Sequence, residues 1–246
     1  MRRRFFVERF DGDSASLEGE SAHHLGKVLR AATGQIYELS DGNSVRLARV
    51  VKLGREKIEF ALLDTIPARA RQVQSTLLLS IVKFDRFEWA IEKATELGVS
   101  AVVPLVAKRS ESALVSAAAK RAVRWQKIVV ESAQQARLLR PPLLRPVARA
   151  ADGFKTAASE ASDSPGPRII LSEREAAPPI RKVLGNIPVA AARGVVLAVG
   201  PEGGWTDEEF ALSASSGFVE ASLGPNILRT ETAVAAALAS INFVLE

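Results

Sequence analysis

The sequence predicts an α/β protein whose larger part follows a smaller β-rich segment. Two patterns carry this expectation. After about residue 70, near-continuous apolar runs alternate with stretches of helical periodicity, as in a mostly parallel sheet covered on both faces. Before that point, short β-prone runs are separated by turn residues, which suggests a small barrel.

In the first part, residues 5–10, 35–39, 45–51 and 57–62 read as strands. Asp11-Gly12-Asp13, Asp41-Gly42-Asn43 and Leu53-Gly54 supply the turns between them. In the third strand Val45, Leu47 and Val51 are expected inward, against Arg46, Ala48 and Arg49. Residues 23–29 read as a turn or two of helix with Leu25, Val28 and Leu29 inward. Pro67-Ala68-Arg69-Ala70-Arg71 lacks apolar periodicity and reads as a linker, so the division is 1–70 and 71–246.

In the second part, residues 76–82 form a buried strand. Asp85 is positioned to cap the next helix, Phe87, Ala90, Ile91 and Ala94 share one of its faces, and Gly98 ends it. Residues 102–106 form a strand in which Pro104 suggests an edge or a strand end. A long helix over 117–138 stops at Pro141-Pro142, and residues 150–167 read as a surface segment. Strands at 168–171, 195–199 and 218–223 and a closing apolar helix over 233–245 complete the pattern.

Composition narrows the chemistry. The chain of 246 residues is 47% hydrophobic and 25% charged, in the ordinary globular range. It has no cysteine, which excludes disulfides, thiolate metal sites and a cysteine nucleophile. Its two histidines, His23 and His24, are adjacent, and neighbours on a helix do not face each other, so no metal centre is expected. No run is long and apolar enough for a membrane span. Glu8, Arg9, Asp11 and Asp13 interrupt the apolar run that a secretory signal needs, so a cytoplasmic protein without a membrane partner is expected. The net charge of +5 permits a polyanionic partner without requiring one.

Ligands of open α/β sheets bind beyond the C-terminal strand ends. Three such ends lead into unusual loops: Ser172-Glu173-Arg174, Gly200-Pro201-Glu202-Gly203-Gly204-Trp205, and the run from Gly224 to Thr232. The second loop opens onto a helix with a capping box, Thr206 and Glu209. It matches neither the dinucleotide fingerprint nor the P-loop, which disfavours a nucleotide-dependent oxidoreductase. In the third loop Thr230 is expected to cap the last helix and Glu231 to complement its dipole. Arg229 does not fit that account, because a cation is unfavourable at a helix N-terminus. It requires an anion: Glu202, Glu231 or a substrate phosphate.

These loops, together with His23-His24-Leu25-Gly26-Lys27-Val28-Leu29-Arg30, the run Lys83-Phe84-Asp85-Arg86-Phe87-Glu88-Trp89 and its continuation to Val99, and Arg109-Ser110, occur in an order that resembles the SPOUT-class RNA methyltransferases. More narrowly, the chain resembles the family that methylates uridine N3 in 16S ribosomal RNA of the small subunit. The resemblance implies an N-terminal PUA-like β-barrel, a C-terminal SPOUT-type α/β domain with a trefoil knot, and a homodimer acting on the small (30S) subunit without a metal. It implies S-adenosyl-L-methionine as cofactor, held by Leu171, Ser172 and Glu173, by Gly200, Pro201, Glu202, Gly203 and Gly204, and by Leu223, Gly224, Pro225, Ile227, Leu228 and Thr230. Arg229 is the first candidate for catalysis and Arg137 the second, with Glu202 or Glu231 orienting the arginine or accepting the proton. Arg2, Arg3, Arg4, Arg30, Lys83 and Arg86 are the expected RNA contacts. Members often have arginine at the place of Asn226, and a glycine–arginine pair near Arg137-Leu138. Another SPOUT activity, such as ribose 2′-O-methylation, and a non-catalytic RNA-binding or ribosome-assembly protein are the alternative readings.

Overall fold

The computed structural model describes residues 3–68, 73–160, 166–186 and 193–245. The chain forms two compact units. One holds the described residues of the first seventy together with Ala133–Pro141, and the other holds the remainder. The expected division at residue 70 therefore misses one segment, Ala133–Pro141. Of the expected linker, 67–71, residues 69–71 lie outside the described residues.

The first unit is a five-stranded sheet in the order β1-β3-β4-β5-β2, formed by β1 (Arg4–Phe6), β2 (Ser14–Glu18), β3 (Ile36–Ser40), β4 (Val45–Leu53) and β5 (Lys57–Ile66). β1 and β3 run parallel and the other pairs antiparallel. β1 and β2 remain edges, so the expected barrel is a curled half-barrel. β2 escaped the sequence reading because Ser14, Ala15 and Ser16 have little strand preference, although Ala15 and Leu17 alternate inward. The β4–β5 register shifts between Arg46 and Ala48. This bulge turns Ala48 and Val50 inward and leaves Val51 exposed, reversing the face expected from strict alternation. The predicted turns of helix are α1 (Gly19–His23) followed by a π-helical turn over His24–Val28. Leu25 is buried there, but the wider turn leaves Val28 exposed. Between β3 and β4 the Asp41 carboxylate accepts the N–H groups of Asn43 (2.9 Å) and Ser44 (2.8 Å). Burial alone raises its pKa, but these bonds outweigh burial and hold it below the usual value.

An interior ion pair fixes the added segment. The Arg4 guanidinium meets the Glu38 carboxylate at 3.0 Å, both side chains 8% exposed. It also donates to the carbonyls of Arg137 and Leu138. Arg137 takes a left-handed φ of 54°, a conformation glycine adopts without strain.

The second unit is a seven-stranded parallel sheet. Its elements are β6 (Gln74–Ser80), α2 (Phe84–Glu96), β7 (Ala101–Val106), α3 (Ser112–Gln135), β8 (Leu143–Leu144), β9 (Ala148–Arg149), α4 (Ala150–Glu160), β10 (Arg168–Leu171), α5 (Ile180–Gly185), β11 (Gly194–Val199), α6 (Asp207–Ser215), β12 (Phe218–Ala221) and α7 (Thr230–Leu245). The order is β12-β10-β11-β6-β7-β8, with β9 also on β7. Successive residues serve opposite faces: Leu77, Ile169 and Leu197 pack with α2, α3, α5 and α7, whereas Leu78, Ile170 and Ala198 pack with α4 and α6. Covering on both faces explains the unbroken apolar runs.

Three expectations change here. Pro104 is not on an edge strand: β8 pairs with Ala101 and Val102, β9 with Leu105 and Val106, and Pro104 falls in the gap between them, where no donor is needed. Asp85 is not the cap of α2. Lys83 holds that position, and Asp85 lies in the first turn, where a carboxylate complements the helix dipole. Within 150–167, residues 150–160 form α4, whose Phe154 is fully buried against Trp205 and Phe218. Residues 161–165 lie outside the described residues.

Removing Glu38 leaves a guanidinium inside the first unit without its carboxylate. Glu38→Ala is expected to cost about 3–5 kcal/mol in denaturant unfolding. Glu18→Ala, which breaks the exposed Lys57–Glu18 pair, is expected to cost at most about 1 kcal/mol.

Candidate active site

The register of three adjacent strands builds the site. Ile170 pairs with Ala198 and Leu171 with Ala221, so β12, β10 and β11 end flush and send their loops out side by side. Backbone bonds join the loops: Ser172 N–H donates to Ala221 O (2.9 Å), Ile180 N–H to Ser222 O (2.8 Å) and Ser222 N–H to Pro178 O (2.8 Å). Together they enclose a cavity of about 630 Å³ in the second unit.

All the residues expected around the cofactor share this cavity wall. From the first loop come Leu171, Ser172 and Glu173, from the second Gly200 to Gly204, and from the third Leu223, Gly224, Pro225, Ile227, Leu228 and Thr230. The second loop turns on Gly204, whose φ of 70° suits glycine. It then enters α6 through the predicted capping box, with Thr206 and Glu209 each bonded to the other's backbone. Thr230 does something other than cap. Its hydroxyl approaches Gly200 O at 3.4 Å, while Arg229 O accepts the first helical bond of α7 from Ala233 N–H. The capping position thus belongs to Arg229, at the positive end of the helix.

The charges on the wall sort themselves. Arg86 pairs with Glu202 at 3.1 Å. Arg174 pairs with Asp207 and, at 3.5 Å, with Glu220, and lies 3.8 Å over the Phe210 ring. Arg109 donates to main-chain carbonyls of the second loop. Arg229 and Glu173 make no ion pair among the described residues, so the anion foreseen for Arg229 is neither Glu202 nor Glu231. Glu231 does not line the cavity, and one of its carboxylate oxygens is buried without a hydrogen-bond partner.

The other expected residues have different surroundings. Arg137 folds with the first unit, its guanidinium 3.6 Å from Glu38. Arg4 is 7% exposed and committed to the interior pair, which leaves no face for a phosphate. Arg3, Arg30 and Lys83 are exposed. Arg2 lies outside the described residues. Arg109, Arg174, Trp205, Asp207 and Phe210 line the cavity and were not foreseen as site residues. Arg174 was visible as the neighbour of Glu173, and Arg109 only as part of a family pattern. Nothing local in the sequence ties Arg109 to a loop nearly a hundred residues later.

No group of three or more His, Asp or Glu suited to a metal occurs among the described residues, and no helix of theirs is long and apolar enough to cross a membrane.

Two family models match the chain, one in each part of the sequence. Residues 69–242 match the family model of an RNA methyltransferase domain, and residues 17–63 that of an RNA methyltransferase PUA domain. The ribosomal RNA small subunit methyltransferase E of Synechocystis is 34% identical over 238 residues, covering 95% of this chain and 74% of that protein. The Mycobacterium bovis protein of the same name is 31% identical, covering 96% and 90%. The crystal structure of the Neisseria gonorrhoeae enzyme of that name, bound to S-adenosyl methionine, superposes with a TM-score of 0.83 at 29% identity, covering 99% of this chain and 98% of that one. A two-part chain of this kind, its three flush strands ending in one glycine-lined cavity, belongs to the RNA methyltransferase family, among the ribosomal RNA small subunit methyltransferases E.

Proposed function

We propose that this protein transfers a methyl group from S-adenosyl-L-methionine to N3 of a uridine in 16S ribosomal RNA of the small subunit. The observation that carries the reading is the cavity at the ends of β10, β11 and β12, in which Arg229 is a cation without a protein partner among the described residues.

The residues present fit the cofactor. A volume of about 630 Å³ is of the size used for small-molecule cofactors. Around Gly224, φ 130°, no atom lies within 4 Å of where a side chain would begin, so its backbone is open to close approach. Leu171, Leu223 and Leu228 offer apolar surface for a ring, and Glu173 a free carboxylate for a cationic group. The sulfonium of S-adenosylmethionine, when bound, supplies an electrophilic methyl.

The chain's own residues supply alignment and charge. Uridine N3 must lose its proton before or during attack, and negative charge spreads onto the flanking carbonyl oxygens. Arg229 donates to one of those oxygens; a guanidinium remains charged at any working pH and is held at the cavity by the start of α7. Of the two carboxylates considered for the proton, Glu202 is on the cavity wall and Glu231 is not, so Glu202 takes the accepting or orienting role. Arg137, in the first unit, and Arg3, Arg30, Lys83 and Arg86 are assigned to RNA; Arg4 is not. Family membership supports a homodimer, a trefoil knot in the second unit and work in the cytoplasm, which follows from a ribosomal substrate.

Three outcomes test this reading. Small subunits lacking the modification, incubated with S-adenosylmethionine and the protein, should yield 3-methyluridine by nucleoside mass spectrometry; a 2′-O-methylated product would overturn the assignment. Arg229→Ala should lower the single-turnover rate by about a hundred- to a thousandfold, the loss typical of an anion-stabilising donor, with cofactor affinity nearly unchanged. Sedimentation velocity at micromolar concentration should give twice the chain mass, whereas a monomer would end the dimer proposal.

A further inference from the structure

The turn after β7 holds the glycine loop from outside. Lys108 N–H donates to Glu209 Oε1 (2.8 Å), the same carboxylate that closes the capping box of α6. Ser110 Oγ donates to Ile81 O at 3.1 Å, anchoring the turn to the chain just beyond β6. Between them Arg109 reaches across. Its Nη1 donates to Gly203 O at 2.7 Å and to Trp205 O at 3.4 Å. A Cβ on Gly203 would meet the Arg109 Cβ and Cδ at 3.3 Å, so the aliphatic stem lies against the loop backbone as well. Arg109 is thus bonded to residues on either side of Gly204, where the loop reverses.

We propose that Arg109 is the positioning residue that sets the glycine loop in its cofactor-binding shape. This rests on the proposed use of the cavity for S-adenosylmethionine. Arg86 cannot substitute for it. Among the described residues Arg86 pairs with the Glu202 side chain, through a partly exposed and salt-screened pair, and makes no bond to the carbonyls of Gly203 and Trp205. A guanidinium suits the task because one nitrogen carries two N–H groups in a fixed plane, enough for two carbonyls at once. Without it two carbonyls lose a charged donor, and among the described residues the turn at Gly204 keeps only its own backbone bond, from Gly204 N–H to Pro201 O (2.8 Å). The loop then pays an ordering cost on each binding event, so affinity falls while the reacting groups stay unchanged.

The test compares wild type, Arg109→Ala, Arg109→Lys and Gly203→Ala, each without RNA. S-adenosylhomocysteine, the demethylated cofactor product, is titrated by calorimetry. Amide hydrogen exchange of residues 200–206 is followed in the ligand-free protein. Arg109→Ala is expected to weaken binding about tenfold and to speed exchange at residues 203–205, with unfolding of the ligand-free protein unchanged. Arg109→Lys, which keeps a donor, should recover part of the affinity, and Gly203→Ala, which displaces the stem, should weaken binding like Arg109→Ala. In turnover with saturating RNA, the Arg109→Ala effect should appear in KM for the cofactor and not in kcat. Wild type that fails to bind would overturn the cofactor reading itself. Wild type that binds, with Arg109→Ala binding equally well or its loop exchanging at the wild-type rate, would overturn only the role of Arg109.

Discussion

The site depends on the placement of one strand: β11 inserts between β6 and β10, parallel to both. That placement seats the glycine loop beside the loop after β10, and β12 on the far side of β10 adds the third. Because the strands end flush, side chains separated by some thirty to sixty residues in the chain face one space. A parallel sheet permits this only with crossovers, and the helices that provide them bury both faces. Hydrophobic burial of Leu77, Ile169 and Leu197 on one face and Ile170 and Ala198 on the other therefore fixes where the chemistry sits.

Within the cavity, the arginines differ in how they are paired. Four arginines line it, and three are tied down: Arg86 by Glu202, Arg174 by Asp207, Glu220 and the Phe210 ring, Arg109 by main-chain carbonyls. Arg229 is left at the start of α7 without a carboxylate partner among the described residues. A cation beside the positive end of a helix is electrostatically uphill, which a site tolerates when an anion develops there during the reaction. Arg4 is held differently again, its guanidinium buried inside the first unit on Glu38 and two carbonyls.

The glycine loop shows how binding geometry is held by residues outside the motif. A Cβ on Gly200 would meet the Trp205 indole at 3.1–3.3 Å, so a side chain there would push against a buried ring. Gly203 is pressed by the Arg109 stem, and Gly204 supplies the left-handed turn. Three glycines thus answer to three constraints, and two of these are imposed by partners: a ring five residues on and a side chain almost a hundred residues earlier.

The sequence by itself determined what depends on neighbouring residues. Apolar runs marked the buried strands at 168–171 and 195–199, the 3.6-residue spacing of Phe87, Ala90, Ile91 and Ala94 marked the inner face of α2, and Thr206 with Glu209 marked the start of α6. The loops around the cavity were legible because glycine and proline at strand ends are local signals. Only the tertiary structure decided what depends on partners distant in the chain. A bulge in β4 reversed the face of Ala48 and Val51, a gap between β8 and β9 gave Pro104 an interior place, and Glu38 drew Arg4 inside. It separated Glu202, on the cavity wall, from Glu231, and joined Arg109 to Gly203. Hydrophobic periodicity records which way a side chain faces along its own element; which group it meets there is set by strand order and register, and those are properties of the whole fold.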